Sequence, residues 1–166
     1  MHVQAFDWVA RQSVGLGRVT VLEIGSLDIN GGVRSLFDAS HYHGLDLADG
    51  PGVDEVADAA DWRPTRTYDV VVSTEVLEHA PRWPDVLANA WAGVAADGHL
   101  LMTCATDPRA PHSAIDGWGV RPGEHYENVA PAALRAVVDQ WATAGWSLEV
   151  ELDRGDLYLR VDRPAT

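Results

Sequence analysis

VLEIGSLDINGGVRSLF, Val21 to Phe37, followed by YHGLDL, Tyr42 to Leu47, decides how this chain folds. An apolar strand passes through an acid, Glu23, and turns sharply at Gly25. A polar loop with a Gly pair, Gly31 and Gly32, leads on, and a second strand ends in another acid, Asp46. This is the layout of an α/β nucleotide-cofactor site, in which backbone approaches the ligand at the first turn and an acid meets a ribose diol. The spacing argues against a dinucleotide, because the G-x-G-x-x-G fingerprint needs Gly where Leu27 and Asn30 stand. Glu23 and Asp28 in the same stretch repel a pyrophosphate. A cofactor with a ribose and a positive charge, and no phosphate, fits better.

Outward from this stretch, strands and helices alternate to the end of the chain, the pattern of a doubly wound, mostly parallel sheet. The sequence predicts strands at Val19–Ile24, Tyr42–Leu45 and, weakly, Asp54–Ala57. YDVVVS, Tyr68–Ser73, is a β-branched run suited to burial on both faces. A further strand is expected at His99–Ala105, and an antiparallel pair at Trp146–Leu152 and Asp156–Val161. Helices are expected at Gly32–Ala39, Trp83–Ala95 and Pro131–Thr143, the last capped by Gly145, with a short amphipathic helix at the N-terminus. Too few residues separate Asp58 from Tyr68 for a crossover helix, so the helical layer between strands three and four is reduced. Thr106–Val129 is a long segment rich in Pro, Gly, His and Asp, and loops of that length are usually functional.

The motifs together resemble the class I S-adenosylmethionine-dependent methyltransferases. The closest likeness is to a small branch whose first motif corresponds here to EIGSLDINGG, Glu23–Gly32, and whose fourth strand runs into STEVLEHAPRWPDVL, Ser73–Leu87. The likeness continues through ADGHLLMTC, Ala96–Cys104, and covers Val19 to about Val161. It implies a Rossmann-like sheet with an antiparallel last strand, and S-adenosylmethionine as cofactor with S-adenosylhomocysteine as product. PHSAIDG and RPGEHYENV resemble lid segments of small phage and actinobacterial relatives, and an all-Arg basic composition points to the same GC-rich sources.

For the cofactor, the resemblance implies Glu23 near the methionyl amine, backbone at Gly25, and Ser26, Leu27 and Asn30 lining the same end. Asp46, with Leu47 after it, meets the ribose hydroxyls; the competing reading of Asp46 is a strand-end turn acid. Asp58 and Ala59 fall where the family recognises adenine, and Trp62 either covers the ring or closes the core. Ser73 and Glu75 follow at the carboxyl edge of the fourth strand.

Methyl transfer is an in-line displacement that asks mainly for alignment, exclusion of water and removal of an acceptor proton. His79, in E-V-L-E-H, is the base candidate, against a structural role fixing the turn before Pro81; His112 is the second. Asp116, His125 and Tyr126 are suited to holding a polar substrate. The spacing of His79, His112, Asp116 and His125 matches no standard ligand motif, so no metal is expected.

Composition bounds the rest. The 166 residues read as one domain, 1–166, with 46% hydrophobic and 22% charged residues. A net charge of -13 disfavours naked nucleic acid and leaves a small-molecule acceptor as the expected partner. The one cysteine, Cys104, excludes an intrachain disulfide, and no membrane span or signal peptide is read, so the cytoplasm is expected. Seven Trp leave room for a homodimer. Two competing functions remain: a catalytically inactive cofactor- or partner-binding module, and a nicotinamide-dependent oxidoreductase that the missing fingerprint disfavours.

Overall fold

The computed structural model describes residues 2–141 and 145–165. Seven strands form one sheet: β1 (Arg18–Ile24), β2 (Asp38–Asp46), β3 (Glu55–Val56), β4 (Tyr68–Thr74), β5 (Val94–Ala105), β6 (Trp146–Glu151) and β7 (Asp156–Asp162). Their order across the sheet is β3-β2-β1-β4-β5-β7-β6. The first five run parallel, and β7 lies antiparallel to both β5 and β6. The parallel sheet with a reversed β7 therefore follows the expectation from sequence.

Strand alternation sorts the core into two layers. On β4, Val70 and Val72 face one way, with Val19, Val21, Leu101 and Tyr158. Val71 faces the other, with Leu22, Ile24 and Leu100. α1 (Val3–Ser13) covers the first face by burying Trp8 and Val9, and Trp8 stacks on Tyr158 with ring centroids 5.6 Å apart. α2 (Trp83–Ala92) and α3 (Pro131–Val138) cover the second. Among the described residues no helix is long and apolar enough to cross a membrane.

Two expected helices differ. No helix forms over Gly32–Ala39: Arg34–Leu36 makes one 3-10 turn, and β2 already begins at Asp38. The reason is reach. Ile24 pairs with Leu45 at the top of the sheet and Arg18 with Asp38 at the bottom, so the chain must descend about 20 Å. Residues 25–31 stay at the top, and six helical residues span only about 9 Å. Only the single 3-10 turn fits within this descent, and Val33 covers the α1 face in the helix's place. The second difference is at α2, which stops at Ala92 because Gly93 O accepts from Tyr68 N and Val94 already pairs with Tyr68. The expected end of the Pro131 helix, Thr143, lies outside the described residues; the described helix ends at Val138.

Between β3 and β4 there is a turn and no helix, as the residue count requires. Asp61 N and Trp62 N both donate to Asp58 O, and Asn89 of α2 donates its side-chain amide to Ala59 O and Ala60 O at 2.8 and 3.0 Å. That buried clasp fixes Asp58 and Ala59 at the sheet's carboxyl edge.

Candidate functional site

A cavity of 1280 Å³ opens at the carboxyl edge of β1 to β4, beneath the loop that follows β5. Ligands of open α/β sheets collect at this edge. Of the residues singled out from sequence, Glu23, Gly25, Ser26, Leu27, Asn30, Asp46, Leu47, Asp58, Ala59, Glu75, His79, His112, Asp116 and His125 line it. Ser73 and Tyr126 do not. Ser73 is buried within β4 between Ile24 and Met102, and Thr74 and Glu75 reach the cavity beyond it. Trp62 donates Nε1–H to Glu55 at 2.9 Å and stacks on His43, which makes it a core residue behind the cavity wall.

The loop after β1 is braced from beneath. Gly25 N and Ser26 N both donate to Leu45 O, and Asp46 Oδ2 accepts from Leu27 N at 3.0 Å while its Oδ1 accepts from Ala48 N at 3.1 Å. Asp46 is thus a loop brace as well as a cavity acid, and each oxygen keeps a further lone pair for a ligand. Gly25 has φ 79°, and a Cβ there would stand 2.2 Å from Val76 Cγ2. The glycine is required by Val76 and by the left-handed turn. At Gly44 in β2 a Cβ would stand 2.0 Å from Gly52 O and 2.7 Å from Ser26 Oγ, so two loop segments close on this one hydrogen atom.

Glu23 is 5% exposed, and burial pushes its pKa up to about 7 against the lowering hydrogen bond from Tyr42 Oη at 2.7 Å. Asp58 accepts from Ala60 N at 2.8 Å and from Arg82 at 3.2 Å. Arg82, which also pairs with Asp61, enters the cavity wall without any signal in the sequence reading.

At the other end His79, His112 and Tyr126 form an aromatic cluster with centroid separations of 4.8 to 5.4 Å. Burial and then His112 hold the His79 pKa below its ordinary value, so its ring is neutral at pH 7. Tyr126 supports the two rings from behind and donates its hydroxyl to Asn128 at 2.8 Å. Asp116 is turned toward its own loop: Trp118 N and Arg121 both donate to it, and these contacts hold its pKa low.

Sequence reading missed a charge cluster that closes the floor here. Glu75, at φ 57° and 11% side-chain exposure, takes a hydrogen bond from Thr103 Oγ1 at 2.8 Å and lies 3.2 Å from His2 Nε2 and 3.6 Å from Arg109 Nη1. Arg109 also pairs directly with Asp156, which is 2% exposed. Burial opposes ionisation of Glu75, yet His2, Thr103 and Arg109 together hold its pKa below the usual range. His2 contributes to the cavity wall from the N-cap of α1. No local pattern announces these contacts, since they join residues 2, 75, 109 and 156.

A model described as a methyltransferase domain matches residues 7–149. The fold is similar to DhpI in complex with S-adenosylhomocysteine: 26% identity over 99% of this chain and 88% of that one, TM-score 0.64. It is similar also to the N-methyltransferase NodS of Bradyrhizobium japonicum WM9 with the same ligand: 16% identity, 97% and 86% coverage, TM-score 0.65. Phosphoethanolamine N-methyltransferase 2 of Haemonchus contortus, in complex with phosphomonomethylethanolamine and S-adenosylhomocysteine, is 12% identical over 98% of this chain and 53% of its own, TM-score 0.72. The latter two likenesses are of fold. No curated protein matches the sequence.

Proposed function

The chain belongs to the methyltransferase domain family and is an S-adenosylmethionine-dependent methyltransferase, and on that premise we propose that it methylates an O or N atom of a small-molecule acceptor by direct displacement. The whole chain acts as one methyltransferase domain. When bound, the cofactor supplies an electrophilic methyl group on a positively charged sulfur. Asp46 accepts from the ribose hydroxyls with the lone pairs its loop contacts leave free. Glu23 answers the methionyl amine, Ser26, Leu27, Asn30 and Glu75 flank that end, and Leu47, Asp58 and Ala59 flank the base.

The observation that carries this reading is the continuity of one cavity from Asp46 to His79 and His112. Neutral His79 takes the proton of the acceptor atom as that atom attacks, His112 and His125 orient the acceptor, and the 109–125 loop excludes water. The position of the His pair beyond the cofactor's expected methyl end favours a catalytic role over an inactive binding module.

Thermal shift tests the reading directly. S-Adenosylhomocysteine at about a hundred times its Kd should add about 2.7 kcal/mol, a rise of roughly 5–10 °C for a chain of this size. NAD should leave the midpoint where it is. An equal response to both ligands, or none to the first, would sink the proposal.

Glu23 gives the reading a pH signature. Its folded pKa stands above the ordinary value, so the free protein holds it protonated below about pH 7. Ionisation beside a bound ammonium then releases one proton on binding, and affinity rises with pH and levels off above pH 7. The linkage predicts a gain of about eightfold in S-adenosylhomocysteine affinity from pH 6 to 7.5. Glu23→Gln should flatten the profile while keeping an acceptor for Tyr42. Calorimetry at the two pH values reads this, and a wild-type profile as flat as the variant's places the amine elsewhere.

A further inference from the structure

Glu78 is the side chain that this reaction leaves unused. It is fully buried, and neither of its carboxylate oxygens has a hydrogen-bond partner. A buried polar group without a partner is costly and calls for an explanation. One stands beside it. Single donor atoms of Glu78, His79 and His112 all lie within 4.8 Å of one another.

The two rings are set for ligation. His79 presents Nδ1 to His125 O at 3.4 Å, and His112 presents Nδ1 to Ala110 O at 3.1 Å. An Nδ1–H donated to each carbonyl leaves Nε2 with a free lone pair, and a carbonyl behind the ring is the usual outer partner of a ligating imidazole. Sequence spacing hides this set, because Glu78 and His79 follow β4 while His112 arrives on the loop after β5.

We propose that Glu78, His79 and His112 form a divalent-cation site, of the two-imidazole, one-carboxylate kind that suits zinc or another first-row ion, with its open position toward the acceptor end of the cavity. Bonds of about 2.0–2.2 Å set donors about 3.3 Å apart around a tetrahedral ion. The donor separations therefore close by up to about 1.5 Å, with His112 moving on its loop and the neighbouring Glu78 and His79 side chains turning toward the ion. His79 and His112 line the cavity, so a bound ion meets the acceptor there.

The site deepens the methyl-transfer reading and rests on it. The ion binds the acceptor's hydroxyl oxygen and lowers its pKa, as a catalytic zinc does for water. The hydroxyl proton passes to solvent. The oxygen's electron pair then forms the bond to the methyl carbon, and the carbon–sulfur pair stays on sulfur, leaving a neutral thioether. His79 in this state holds the ion and does not take the proton.

The test titrates EDTA-treated full-length protein with cobalt(II) chloride, whose visible d–d absorption reports nitrogen and oxygen ligation. Saturation at one equivalent is expected, with binding at least about tenfold weaker in His112→Ala and in Glu78→Gln. His112 stands on a loop, so its replacement keeps the fold even where a change at Glu78 disturbs it. Thermal shift with S-adenosylhomocysteine is run on each protein in parallel. No stoichiometric cobalt spectrum in the wild type, or the same spectrum in His112→Ala, overturns the site while leaving the cofactor reading intact. Cobalt binding in a protein that never responds to S-adenosylhomocysteine overturns methyl transfer, and with it the role given to the ion.

Discussion

Arg109→Ala should lower the unfolding free energy by about 3–5 kcal/mol, the usual cost of removing one partner from a buried ion pair. Asp156 is 2% exposed and its carboxylate meets Arg109 directly; Glu75, also buried, lies 3.6 Å from the same guanidinium. Without Arg109 the two acids share only His2, 3.2 and 3.7 Å away. The Arg109 side chain also ties its loop to the turn between β6 and β7, since its Nε donates to Arg154 O at 3.0 Å. The loss should therefore appear both as a lower urea midpoint and as a loosened acceptor end. Asp156→Asn separates the charge from the tether. In the Arg109→Ala background it removes the stranded charge, so the double variant should be less destabilised than the two single losses summed, by 1 kcal/mol or more on the scale typical of coupled neighbours. A single variant within about 1 kcal/mol of wild type, the range of an exposed pair, would mean that solvent reaches the cluster.

That cluster also marks the boundary of what the sequence discloses. The sheet was legible because its signals are local: a β-branched run at Tyr68–Ser73, acids at strand ends, and a residue count too small for a helix before β4. The part of the cavity wall from Glu23 to Asn30, with Asp46, was legible for the same reason, since these residues sit on two adjacent strand ends. Val33, Leu36 and Phe37 carry helical spacing, yet no helix forms, because the length of β1 dictates how far the chain must descend. Ser73 was placed one step too far along, as only the pairing register shows that β4 runs on to Thr74 and the wall begins there. His2, Arg109, Asp156 and the partnerless Glu78 stayed hidden because their meaning lies in contacts between distant segments. At Gly25 the sequence shows the turn but not that Val76, in the loop after β4, stands against it.

Asp46→Ala should weaken S-adenosylhomocysteine binding by about 1.5–3 kcal/mol, the scale of lost hydrogen bonds to a charged acceptor. That is on the order of ten- to a hundredfold in Kd. The acid braces its own loop, and variants can separate that task from the proposed ribose contact. Its oxygens hold Leu27 N and Ala48 N, so alanine also frees the loop that shapes the methionyl end. Asp46→Asn keeps one acceptor oxygen but turns an amide N–H toward a backbone N–H, which should cost the free protein stability as well as affinity. The ribose task is isolated by changing the ligand. An S-adenosylhomocysteine analogue lacking the 2′- and 3′-hydroxyls has nothing to offer the carboxylate, so Asp46→Ala should cost it only the loop's share, a smaller loss than the parent ligand shows. If the analogue instead loses as much affinity on the mutation as the parent ligand does, Asp46 acts only through its loop, and the ribose lies against another part of the wall.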